Sequence, residues 1–99
     1  MARSSGTGSA PDNVTLYYLP LGSLETFISP DLRGLNVADT DLRQAFERLS
    51  DVVSDLVEAT YGIAAKYRIE PGFDEFRRSI AKEGETELHA VKVNERLAA

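Results

Sequence analysis

The chain has 99 residues, of which 42% are hydrophobic and 27% charged, and its sixteen acidic and eleven basic side chains leave a net charge of −5. This is enough polypeptide for one small domain with one core, and the acidic balance argues against phosphate backbones and anionic membranes as partners. With no cysteine there is no disulfide framework, thiolate metal site or cysteine nucleophile, and with neither a membrane-length apolar run nor a signal-peptide segment the expected location is cytoplasmic.

Residues 1–13, MARSSGTGSAPDN, contain small and polar residues with little to bury, and are expected to form a flexible arm ahead of a single domain at 14–99. The fragment GTGSA lacks the Gly-Lys-Ser/Thr of a phosphate loop and has no strand before it. VTLYYL, from Val14 to Leu19, is rich in β-branched and aromatic residues and reads as a strand. Tyr17 and Tyr18 then point to opposite faces, one into the core and one outward. LETFI, after Pro20-Leu21-Gly22-Ser23, fits either a second strand or one helical turn. SPDLRGLNVA reads as a loop in which Leu32, Leu35 and Val37 anchor to the core, completing a small N-terminal strand or hairpin lobe.

The strongest pattern spans about residues 40–67. Leu42, Leu49, Leu56 and Ile63 recur every seven residues, Ala45, Val52 and Ala59 hold the matching positions, and Phe46, Val53, Thr60 and Tyr67 widen the stripe. This is the broad apolar face of a helix in a bundle or globular core. Asp39 or Thr40 is placed to cap it, with Asp41 in the first turn. Gly62 falls inside the repeat and marks a bend or close contact. Glu47, Asp51, Asp55 and Glu58 line the opposite face, either as a solvated surface or as a docking stripe for a basic partner.

Pro71 ends this helix. FDEFRRSIAKEG then places Phe73, Phe76 and Ile80 on one face of a short second helix, with Gly84 as terminator. Arg77, Arg78 and Lys82 form a basic cluster on its outer side, which pairs locally or meets the acidic stripe of another copy. TELHAVKVNERLAA balances strand and helix propensities and is read as a third helix over about 86–98. The expected fold is therefore α+β and mainly α: one long amphipathic helix, one or two short C-terminal helices and the N-terminal lobe.

No catalytic, cofactor-binding or metal-ligating set stands out. His89 is the only histidine, too few for the paired Glu-x-x-His motifs of carboxylate-bridged metal sites, and no Gly-x-Ser-x-Gly elbow is present. A helix over 40–67 would be roughly 40 Å long, against a radius of gyration near 13 Å for a compact domain of this size. It would overhang its own domain and leave part of its face for another chain. The expected function is thus non-catalytic protein–protein association, as a homodimer or a small subunit of a larger assembly, without nucleic acid or membrane. The expected interface is Leu49, Val52, Val53, Leu56, Thr60, Ile63 and Tyr67, with charged docking through Glu47, Asp51, Asp55, Glu58, Arg77 and Arg78. Two alternatives are an acidic antitoxin- or immunity-like inhibitor of a basic protein and a small oligomeric enzyme with an intersubunit site.

Overall fold

The computed structural model describes residues 10–83 and 86–93. The elements follow in the order β1 (Asn13–Leu21), β2 (Leu24–Ile28), β3 (Asn36–Asp39), α1 (Leu42–Tyr61), β4 (Tyr67–Glu70), α2 (Phe73–Glu83) and β5 (Thr86–Lys92). The strands form one sheet in the order β3-β2-β1-β5-β4, every neighbouring pair antiparallel. The sheet curls into a half-barrel, and both helices pack into its inner face. At 37% helix and 36% strand, the chain is not mainly α. The helical expectation fails because three segments read as loop, helix end or third helix are strands.

The first of these is β3, hidden in SPDLRGLNVA. Leu32, Leu35 and Val37 are buried as anchors, but Asn36–Asp39 also pairs with β2. The loop before it is tied to β1: the Ser29 hydroxyl donates to the Thr15 carbonyl at 2.6 Å, and the Thr15 amide donates to the Asp31 carboxylate at 2.7 Å. LETFI is a strand. It joins β1 through a two-residue Gly22-Ser23 turn in which Gly22 has φ 61°, a positive value that a tight hairpin assigns to glycine at this position.

The helix α1 begins at Leu42, with Asp41 itself as N-cap, its carboxylate accepting from the Gln44 amide at 3.1 Å. It ends at Tyr61, because Gly62 takes the left-handed conformation (φ 74°) and its amide closes on the Glu58 carbonyl at 2.8 Å, the usual glycine stop. Ile63 and Tyr67 therefore continue the seven-residue count only by coincidence. Ile63 lies in the following loop, and Tyr67 opens β4, where YRIE alternates Tyr67 and Ile69 inward with Arg68 and Glu70 outward. A helix of 20 residues does not overhang: Ala45, Phe46, Leu49, Val53 and Val57 are buried under the chain's own sheet.

The third helix expected over 86–98 is replaced by β5, and residues 94–99 lie outside the described residues. Here propensity was balanced and pairing decides. A strand at this place is hydrogen-bonded on both sides, by β1 and β4, and buries Leu88 and Ala90 fully. Of the expected N-terminal arm, residues 1–9 lie outside the described residues, while 10–13 are fixed to the domain. Ala10 is buried, the Tyr67 hydroxyl donates to the Pro11 carbonyl at 2.7 Å, and the Lys92 amide donates to the Asp12 carbonyl at 2.9 Å.

The short helix α2 forms where its apolar spacing places it, with Phe76 fully buried and Phe73 and Ile80 packed at the core margin. Phe76 is the hub of the aromatic packing, with ring centroids 5.4 Å from Tyr18, 5.7 Å from Phe27 and 5.5 Å from Phe46. These contacts tie β1, β2, α1 and α2 together, each pair adding about 0.5–1.5 kcal/mol beyond area burial. Phe76→Ala is expected to cost about 3–5 kcal/mol, a large part of the stability of so small a domain. Urea denaturation followed by circular dichroism measures it, and a loss below about 1 kcal/mol would show that α2 is peripheral to the core.

Candidate functional site

The curled sheet has two faces of different character. Its inner face carries Val14, Leu16, Tyr18, Phe27, Val37, Leu88 and Ala90, all buried. Its outer face has no helix over it among the described residues, and strand register shows what it presents. Leu21 stands opposite Leu24; Leu19 opposite Thr26, which stands opposite Ala38; and Tyr17 opposite Ile28, which stands opposite Asn36. Side chains so paired are about 4.5–5.5 Å apart at Cβ, so they form one apolar patch across β1, β2 and β3. Leu21, Leu24 and Tyr17 are 59%, 40% and 37% exposed.

Thr26 sits within this patch at only 4% exposure, and its hydroxyl oxygen is buried without a hydrogen-bond partner. Leu19 from β1 and Ala38 from β3 flank it in register. The patch is consequently a packed surface rather than scattered leucines.

Across β5 and β4 the outer face becomes polar, and its side chains hydrogen-bond within the chain. Arg68 binds Glu70 at 2.7 Å, and the His89 ring holds Glu87 through Nε2 at 3.0 Å and Asn13 through Nδ1 at 2.9 Å. Both ring nitrogens of His89 are thus engaged on an open sheet surface. Among the described residues, no group of three or more His, Cys, Asp or Glu is placed to hold a metal ion, and no helix is long and apolar enough to cross a membrane.

The expected interface residues are placed differently. Leu49, Val53 and Tyr67 are buried in the chain's own core, Val52, Leu56 and Ile63 pack against it, and Thr60 is exposed near the end of α1. The helix stripe is therefore already covered by the sheet. The charged residues Glu47, Asp51, Asp55 and Glu58 are all exposed on α1, and Arg77 and Arg78 are exposed on α2. Glu47 lies 3.7 Å from Arg43; Asp51, Asp55 and Glu58 enter none of the ion pairs found among the described residues. Arg77 and Arg43 instead lie over the Phe73 ring, at 6.0 Å and 4.5 Å from its centroid.

An open groove of about 590 Å³ lies beside the second half of α1, lined by Ser50, Ser54, Glu58, Lys66, Tyr67 and Lys92 among others. Its signs of charge are mixed, and Lys92 is drawn to Asp12 at 3.4 Å. Ala10 and Val93, where the described chain begins and ends, form part of its rim. Nothing in this lining selects a ligand class.

Strand propensity in VTLYYL marks the strand but not the composition of its two sides, so it does not single out the outer-face residues. The signal is present. Val14, Leu16 and Tyr18 are apolar on one parity, and Tyr17, Leu19 and Leu21 are apolar on the other, the pattern of a strand covered on both faces.

Three buried groups give testable consequences. The Tyr18 hydroxyl donates to Glu25, and burial first, then this hydrogen bond and the nearby carboxylate charge, pushes its pKa up to about 12. Tyr67 is raised in the same direction, by burial first and then by Asp12 and Tyr61. Between pH 10 and about 12 the unfolded chain loses protons that the folded chain keeps, so stability falls with rising pH. It is complete below pH 10, and Tyr18→Phe should flatten the decline when urea midpoints are compared from pH 9 to 11.5. For Thr26→Val, removing an unsatisfied buried hydroxyl is expected to raise stability by about 1 kcal/mol; a loss in the same measurement would show that the hydroxyl has a partner.

Compared with known proteins, the chain matches no family model, no curated protein and no solved structure.

Proposed function

We propose that the chain is a non-catalytic protein-association module whose docking surface is the outer face of the β1–β2 hairpin, not the long helix. The observation that carries this reading is a central strand apolar on both sides but covered, among the described residues, on one. Leu16 and Tyr18 meet the helices, while Tyr17, Leu19 and Leu21 form, with Leu24 and Ile28, a contiguous patch bordered by hydrogen-bonded polar pairs. An apolar centre with a polar rim is the layout of a protein interface, and contiguous exposed apolar surface marks association sites where single exposed side chains do not.

A second reading rests on a separate observation. Asp51, Asp55 and Glu58 are exposed on α1 and enter none of the ion pairs among the described residues, which suits a basic partner of the inhibitor alternative. Such docking would depend on salt, because exposed charges are screened over about 8 Å at physiological ionic strength. Docking through the sheet would not.

The readings separate in cells producing the full chain with a photo-crosslinking amino acid at Tyr17 or, as control, at Asp55. Protein adducts at Tyr17 that disappear when Leu24→Lys is introduced are the expected result. Adducts at Asp55 alone would transfer the function to the helix stripe, and adducts at neither position would remove the association reading.

A further inference from the structure

We infer that the groove beside α1 is a docking site for this chain's own segment after β5: Asn94, Glu95 and Arg96 continue that strand along Ile63, Ala64 and Ala65, and Arg96 meets Glu58 at the C-terminal end of the helix. This is independent of the association reading above, which concerns the outer face of β1 and β2.

The ladder sets the direction. β4 and β5 pair in a register that puts Tyr67 opposite Lys92 and Arg68 opposite Val91. One step past these strands the Val93 amide donates to the Lys66 carbonyl at 2.8 Å, so the same register holds there. Continued, it places Asn94 opposite Ala65, Glu95 opposite Ala64 and Arg96 opposite Ile63. Those three partners, with Lys66, line one side of the groove, and Val93 lies on its rim. The chain therefore leaves β5 heading along the groove.

Alternation sets the faces. Leu88 and Ala90 are buried on the inner side of β5 and Lys92 lines the groove, so Asn94 and Arg96 fall on that same side. The opposite side of the groove is α1, which contributes Ser50, Asp51, Ser54 and Glu58. Asn94 and Arg96 are about 6.8 Å apart along a strand, and Ser54 and Glu58 are about 6 Å apart along a helix. Two polar residues of the strand thus match a hydroxyl and a carboxylate on the helix.

Charge selects the segment. Asp51 and Glu58 enter none of the ion pairs among the described residues, and the last turn of α1 carries no basic side chain, although the helix dipole favours a cation at that end. Arg96 is the only basic residue after Val93 and stands three positions beyond it. The segment before Ala10, at the other rim, has its only base at Arg3, too far along the chain for its position to be set by Ala10. The groove is then closed by the chain itself rather than by a ligand.

The test is amide hydrogen exchange, read by NMR, on the full chain and on a chain stopped after Val93. Hydrogen-bonded pairs of an antiparallel ladder recur at every second residue, so the pair after Val93 and Lys66 is Glu95 with Ala64. Both of these amides should exchange slowly in the full chain, and Ala64 should exchange about tenfold faster or more when the chain stops at Val93. An unchanged rate at Arg68 shows that the sheet is kept. Two variants of the full chain read the charge contact without the truncation. Glu58→Lys sets two cations together and should speed exchange at Glu95 roughly two- to fivefold, and adding Arg96→Glu should reverse this. Unprotected amides at Glu95 and Ala64, protection at Ala64 that survives the truncation, or no response to Glu58→Lys would each overturn the proposal. Protection at Ala64 lost instead on removing residues 1–9 would overturn it by giving the groove to that segment.

Discussion

The fold depends on β1 being a strand that is hydrogen-bonded on both edges and apolar on both faces. β2 pairs with it from Tyr17 to Leu21, and β5 pairs with it from Asn13 to Tyr18, so the strand seats every other part of the sheet. Its inward residues Val14, Leu16 and Tyr18 define the floor on which α1 and α2 pack, and Tyr18 meets both Phe27 and Phe76. If β1 slipped by one residue, Tyr17 and Leu19 would enter the core and Leu16 and Tyr18 would leave it, with both sets apolar. Hydrophobic pattern therefore specifies this register weakly. The Gly22-Ser23 turn and the Ser29 and Asp31 contacts to Thr15 pin it instead.

That double-sided character links stability to function. A strand needs only one apolar face to hold this domain together, since the helices cover the inner side alone. The second face adds little to the monomer and leaves apolar side chains of β1 and β2 in water. The polar pairs on β4 and β5 bound this surface, keeping the uncovered region to the β1–β2 hairpin and the adjacent strand β3. The long helix has the reverse arrangement: its apolar stripe is consumed by the sheet, and its exposed side carries Glu47, Asp51, Asp55 and Glu58.

Several elements could be read from sequence because they are governed by neighbours close along the chain. The start of α1 follows within two residues from the Asp39–Asp41 segment, although the cap is Asp41 and not Asp39 or Thr40; α2 follows from Phe73, Phe76 and Ile80 at helical spacing, and β1 follows from its β-branched and aromatic run. The end of α1 was also signalled, by Gly62, but the heptad count carried through it. Ile63 and Tyr67 continued the count by chance, and a glycine costs only about 1 kcal/mol inside a helix, too little to break the pattern unless a left-handed stop is assumed. Counting through Gly62 lengthens the helix and leaves its apolar face without cover, which is why the sequence points to that face as an interface.

Sequence by itself determined the helix faces, the core anchors Leu32, Leu35 and Val37, the acidic stripe on α1 and the division of Tyr17 and Tyr18 between opposite faces, because each is a property of local spacing. Tertiary structure alone decided that TELHAVK is a strand and that β4 and β3 exist at all, because these short segments have near-balanced propensities and take their form from the strands beside them. It also decided which apolar surface stays open. Both the helix and the hairpin have surplus apolar residues to cover, and only the packing of α1 onto the inner face of the sheet settles that the helix is covered while, among the described residues, no helix lies over the outer side of β1 and β2.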